Sequence, residues 1–223
     1  VVSPPFPPLS LFVHYKGVSI KSEQGGKVNE RLVIGFGTGR CGTKSLAAFL
    51  NQQHDITCTH EEVIVYDPQY CNYFAAIDML MRGKDSPIMG DVSVGWLNYI
   101  DRIMIDFPRA KFICLDRGSV DEVVESFDSY LRKAAIVEVS HDLRAIYPIH
   151  ERKYSKEAVR RSVDRYLWKQ QVLLDMHPSI LKVPTNLLST KTAQMAILDH
   201  IGISRGAQER GMPWINKRED MGK

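Results

Sequence analysis

Short apolar runs alternate along this chain with longer stretches in which apolar residues recur every three to four positions. The runs at 32–36, 56–58, 88–91, 111–115 and 180–183 have the length of buried strands. The stretches at 44–53, 70–82, 97–107, 119–133, 155–176 and 190–201 have the spacing of amphipathic helices. Pro108 ends the third helix and Gly202 the last. Alternation of this kind predicts a parallel central sheet with helices on both faces, a single three-layer α/β domain. Ligands of such sheets collect beyond the carboxyl ends of the strands. Gly37, Glu62, Asp91 and Arg117 all fall just past predicted strand ends.

Two segments stand outside the alternation. Residues 1–30 contain Pro4, Pro5, Pro7 and Pro8, which exclude regular helix, and read as an arm on the domain or an appended edge strand. The α/β domain then runs from 31 to 223. Residues 134–154 read as a loop or short helix covering the site. The helix at 155–176 carries Lys156, Arg160, Arg161, Arg165 and Lys169, interleaved with Glu157 and Asp164. A solvated face explains that mixture; a surface for an anionic partner is the alternative.

Composition changes this picture little. The chain has 223 residues, 44% hydrophobic and 25% charged, with a formal net charge of +3, so affinity for nucleic acid is not expected. No apolar run approaches the roughly 20 residues of a membrane helix. No signal-peptide pattern stands at Val1, although that start leaves room for an upstream anchor. No Asn-x-Ser/Thr acceptor occurs. The expected location is therefore cytoplasmic, with a Golgi-lumenal fragment lacking its anchor as the alternative. Cys41, Cys58, Cys71 and Cys114 form no Cys-x-x-Cys pair, and no clustered metal-ligand spacing occurs, so no metal is expected. Cys58 and Cys114 read as packed thiols. Cys41 has a cationic, helix-start setting of the sort that lowers a thiol pKa, but reads as a small loop residue.

The chemistry concentrates in Gly37-Thr38-Gly39-Arg40-Cys41-Gly42-Thr43-Lys44-Ser45, between the first strand and the first helix. A glycine-rich turn there aims backbone amides and a helix dipole at one point, and the two cations and three hydroxyls suit a phosphate-like anion. The nucleotide-hydrolase loop requires Gly-Lys-Ser/Thr, but Thr43 stands in the lysine position and Lys44 comes one residue late. The dinucleotide pattern is nominally present as Gly37-x-Gly39-x-x-Gly42, with Glu62 about twenty residues on. That motif does not ask for so many cations and hydroxyls.

Gly39-Arg40-Cys41-Gly42-Thr43-Lys44-Ser45-Leu46 resembles the 5′-phosphosulfate loop of sulfotransferases. Those enzymes use 3′-phosphoadenosine 5′-phosphosulfate (PAPS) and release adenosine 3′,5′-bisphosphate (PAP). The resemblance implies a P-loop-like fold. It assigns Arg40 to the developing charge on the bridging oxygen, and Gly39, Cys41, Gly42, Thr43, Lys44 and Ser45 to the 5′-phosphate. The family grips the 3′-phosphate with an Arg at a strand end and a Ser on the next helix. Arg117 and Ser126, nine residues on, match, with Ser129 as a fallback. Family members also close over the adenosine with a basic C-terminal loop, where Lys217 and Arg218 would fall. His60-Glu61-Glu62-Val63-Ile64-Val65-Tyr66-Asp67 resembles the context of the heparan-type catalytic glutamate. It implies Glu62 as general base, with Glu61 and His60 near enough to compete. Asp91 is a second strand-end carboxylate, suited to act as base or acceptor anchor. Val92-Ser93-Val94 stands where the heparan-type Lys-x-Pro would fall, which puts a heparan-like acceptor mode in doubt.

The expected reaction is sulfuryl transfer to a hydroxyl or amine of a small-molecule or carbohydrate acceptor. A Mg-ATP phosphotransferase, with Lys44 on the β/γ-phosphates and Asp116 near magnesium, is the alternative. A non-catalytic nucleotide-binding module is the third reading.

Overall fold

The computed structural model describes residues 31–62, 76–78, 80, 86–133 and 155–203. The expected proline-rich arm, the 134–154 cover and the basic C-terminal loop with Lys217 and Arg218 lie outside the described residues. So does most of the helix expected at 70–82, of which 76–78 and 80 are helical.

Strand β1 (Arg31–Gly37) is central. Helix α1 (Thr43–Leu50) and β2 (Ile56–His60) follow, then β3 (Ile88–Val92). A 3-10 turn at Val94–Asn98 leads into α2 (Ile100–Asp106). Next come β4 (Lys111–Asp116), α3 (Val120–Lys133), α4 (Lys156–Met176), β5 (Leu181–Pro184) and α5 (Lys191–Ile201). The five strands lie in the order β2-β3-β1-β4-β5, and every pairing is parallel. This is the expected P-loop-like α/β domain with a central parallel sheet flanked by helices.

The two faces of β1 explain the layering. Leu32, Ile34 and Phe36 join a core with Trp96, Ile100, Val123, Phe127 and Val163, from the 3-10 turn, α2, α3 and α4. Val33 points the other way, into a second core with Leu46, Phe49, Ile197 and Leu198 of α1 and α5. Gly37 permits the sharp exit from β1. A Cβ there would stand 2.6 Å from the Leu115 carbonyl oxygen and 2.7 Å from Cys41 Sγ, so no larger residue fits without moving backbone.

Element ends follow local chemistry. The Oγ of Ser155 accepts from the Ala158 amide at 3.0 Å and starts α4; Thr190 does the same for α5 through Ala193 at 3.3 Å. Gly202, at φ 77°, closes α5. Two of the departures from the expected boundaries have a visible cause. The second strand continues through the polar Thr59 and His60, because both stay in register with Asp91 and Val92 of β3. The expected 97–107 helix starts earlier and is interrupted: Ser93 Oγ accepts from the Gly95 amide at 3.2 Å and sets the 3-10 turn before α2.

The basic residues of α4 are tied to acids or amides nearby. Arg160 pairs with Asp121 and Lys156 with Glu125, both on α3. Arg161 reaches Glu157 at 3.5 Å, and Lys169 Nζ donates to Asn98 Oδ1 at 2.7 Å. Such pairing within the fold is what a solvated helix face requires.

Candidate active site

The site is built on the carboxyl edge of the sheet, where β1, β2, β3 and β4 end side by side. The Thr38–Gly42 turn leaves β1 and delivers α1 with Gly42 as its N-cap, at φ 90°. Glycine adopts that left-handed conformation without cost. Arg40 adopts it too, at φ 67°, where a side chain is strained. Among the described residues the only other non-glycine at positive φ is Glu61, at 53°. Both outliers sit at this edge, on the two loops expected to carry the chemistry.

Several contacts hold Arg40 in place. Arg117, just past β4, donates from Nη1 to the Arg40 carbonyl. The Arg40 guanidinium lies over the Tyr130 ring of α3, 5.0 Å from its centroid, a cation–π contact. Its Nε is buried with no hydrogen-bond partner. A buried, unsatisfied cationic N–H at an anion loop is a group whose cost an anionic ligand would relieve. Thr185, beyond β5, donates its hydroxyl to the Cys41 carbonyl at 2.9 Å. Two successive loop carbonyls are therefore engaged from outside the loop. Thr43 and Ser45 are buried in the first turn of α1 and Lys44 is exposed there, with no acidic residue in that turn. Lys44 and the helix dipole thus act with the same sign.

Cys41 is fully buried beneath this loop. Burial pushes its thiol up to about 12, against the opposing effects of a Thr38 hydrogen bond, the Arg117 charge and nearby backbone amides. The helix start does not activate it. Native protein at pH 8 should therefore leave Cys41 unmodified by iodoacetamide in peptide mapping, and urea should expose it. Rapid native alkylation would contradict the packing.

The 3′-side residues expected from sequence fall along the same edge. Arg117 touches the loop directly, and its Nε lies 3.7 Å from the exposed Glu122 carboxylate. Ser126 is half-buried on α3, one turn before Tyr130 and so on the flank that carries the Arg40 contact. Ser129 is exposed. Asp116 is committed elsewhere: its carboxylate takes Lys182 Nζ at 2.8 Å and the Gly118 amide at 2.9 Å. Burial alone would raise this carboxyl, but those two partners hold it below the usual range. Among the described residues no group of three or more His, Cys, Asp or Glu is arranged to hold a metal ion.

The β2 tip brings the remaining candidates together. His60 Nε2 lies 3.1 Å from Thr43 Oγ1, which joins β2 to the anion loop. The Glu61 amide donates to the Val92 carbonyl at 3.3 Å. Glu61 and Glu62 are exposed where the chain leaves the sheet. Asp91 lies beneath them with no exposed surface. Its oxygens accept from Thr59 Oγ1 and from Trp96 Nε1, both at 2.7 Å, and the Glu62 amide adds a third donor. Burial raises its pKa above the usual carboxylate range even so. Asp91 is thus a buried hub that fixes the backbone under Glu62.

That hub gives a stability prediction. Trp96→Phe keeps the ring and deletes the donor to Asp91, which should cost about 1–3 kcal/mol and lower the melting temperature by several degrees. The raised pKa makes ionised Asp91 a burden: its contribution is intact below the unfolded carboxylate value and is lost as pH rises through the folded one. The indole stabilises the ionised form, so the Phe variant's deficit should be largest near neutrality and shrink toward acid pH. A pH-independent deficit in thermal melts would contradict this.

Sequence reasoning missed Tyr130, Thr185 and Trp96. Tyr130 was within reach, four residues after Ser126 on the same helix. Thr185 and Trp96 act through tertiary contacts that leave no local signal.

A parallel sheet with a glycine-rich loop after its first strand, and a second arginine bonded to that loop, makes a P-loop-like α/β domain. The sulfotransferase domain model matches residues 32–181, more than half of the chain, and the chain belongs to the sulfotransferase family. The family is one of enzymes. A crystal structure of a sulfotransferase from Alicyclobacillus acidocaldarius superposes with a TM-score of 0.60, covering 85% of this chain and 88% of that one at 19% identity. At that identity the likeness concerns the fold. No curated protein matches the chain significantly. No helix among the described residues is long and apolar enough to cross a membrane.

Proposed function

We propose that this protein transfers a sulfuryl group from PAPS to a hydroxyl or amine of a small-molecule or carbohydrate acceptor, without a metal. The observation that carries the reading is the Arg117 hydrogen bond to the Arg40 carbonyl, which sets two cations from separate strand ends at one edge of the crevice. The orphaned Arg40 Nε and the acid-free first turn of α1 support the same anion.

In this reading the donor, when bound, supplies the activated sulfuryl group. Gly39, Cys41, Gly42, Thr43, Lys44 and Ser45 hold its 5′-phosphate through loop amides, hydroxyls and the Lys44 charge. Arg117 and Ser126 hold the 3′-phosphate, and Lys217 and Arg218 close over the nucleoside. Arg40 stabilises negative charge that grows on the leaving side, where a preorganised cation is most effective. Glu62 takes the proton of the acceptor as general base. Asp91 anchors the segment that carries Glu62 and does not itself meet the acceptor. Asp116, engaged by Lys182, is poorly suited to the magnesium role of the phosphotransferase alternative.

Calorimetric titration with PAP and with ADP, with and without magnesium, tests the reading. PAP should bind at least tenfold more tightly than ADP, without a magnesium requirement. Equal affinities, or ATP binding that depends on magnesium, would sink it.

A further inference from the structure

The contact between His60 and Thr43 is not used by the reaction described above. Thr43 is almost fully buried, and its hydroxyl has a single proton to give. His60 Nε2, 3.1 Å away, is either donor or acceptor according to the tautomer of the ring. If Nε2 accepts, the only Thr43 proton is spent on the ring, and lone pairs face any anion over the loop. If Nε2 donates, the Thr43 proton is free to turn to the anion. The backbone that carries the ring is fixed, because His60 is held in the β2–β3 ladder opposite Val92 and the next amide is bonded to the Val92 carbonyl.

We propose that His60 is a positioning residue for the anion loop: its Nε2–H donates to the Thr43 hydroxyl and so aims the Thr43 proton at the bound phosphate group. This rests on the donor reading above. It gives His60 a task different from that of a base, because the nitrogen nearest the site is already engaged. The charged groups that act on the ring are Asp91 from β3 and Lys44 from α1, while Glu61 and Glu62 follow it in its own segment. Burial, with Lys44, disfavours the imidazolium more than Asp91 favours it, so the ring is neutral near pH 7.5 and its tautomer responds to its partners. The bond also links occupancy of the loop to the strand end from which Glu62 emerges.

The test combines imidazole 15N NMR of the wild-type protein with PAP titrations of His60→Leu, His60→Gln, Thr43→Val and the Leu/Val double variant. Saturating PAP should leave the His60 ring neutral and protonated at Nε2. His60→Leu should weaken PAP binding about five- to tenfold. His60→Gln, whose amide can donate from a similar position, should recover affinity to within about threefold of wild type. In the Thr43→Val background, His60→Leu should have no further effect. An Nδ1-protonated ring in the complex, or additive losses in the double variant, would overturn the inference and leave the donor reading standing. Failure of the wild type to bind PAP would overturn both.

Discussion

Arg40→Ala should lower turnover about 10²- to 10³-fold while leaving PAP affinity within about tenfold of wild type. The asymmetry follows from where the charge develops. A cation beside a leaving oxygen gains most as that oxygen becomes negative, so its removal raises the barrier more than it weakens the ground state. The contacts that hold Arg40 make it preorganised: the Arg117 bond to its carbonyl, the Tyr130 ring and the left-handed backbone fix the guanidinium before any ligand arrives. Arg40→Lys should recover only part of the rate, since an ammonium replaces neither the guanidinium contact over Tyr130 nor the directed N–H groups. Initial-rate measurements with saturating donor check this. Unchanged turnover in Arg40→Ala would remove the residue from the mechanism.

Glu62→Gln should lower turnover about 10²- to 10⁴-fold with little effect on stability or on PAP binding. The side chain is exposed, so the exchange leaves no cavity, and the Glu62 amide bond to Asp91 belongs to the backbone and survives. Glu61→Gln is the matching control. Its backbone is the strained one of the pair, and it should retain most of the activity if Glu62 is the base. Pre-steady-state or steady-state assays on the two variants decide between them. A large loss in Glu61→Gln with a small one in Glu62→Gln would reverse the assignment.

What the sequence revealed was what neighbouring residues decide. The β1–loop–α1 unit was legible because an apolar run, spaced glycines and a periodic stretch follow one another within about twenty residues. The order of strands and helices was legible for the same reason, and Gly202 marked the end of the last helix by capping chemistry. The extension of β2 to His60 was not legible: Thr59 and His60 are polar, and only the register with Asp91 and Val92 keeps them in the ladder. Nor was the burial of Asp91, which reads as a free strand-end carboxylate until Trp96 and Thr59 are seen to enclose it. At Cys41 the helix-start setting favours a lowered thiol pKa, but burial outweighs it and raises the thiol, which suits a small packed loop residue. The direct contact of Arg117 with the first loop joins residues 77 positions apart and has no counterpart in any local pattern.

The Thr185 bond to the Cys41 carbonyl spans 144 residues of chain. A ribosome therefore releases the glycine-rich turn long before the residue that braces it. Until β5 docks on β4, the early segments lack this late strut. Pairings of such high sequence separation are also slow to form. The bracing of the glycine-rich turn thus arrives only with β5, an edge strand among the described residues, which acts as its keystone.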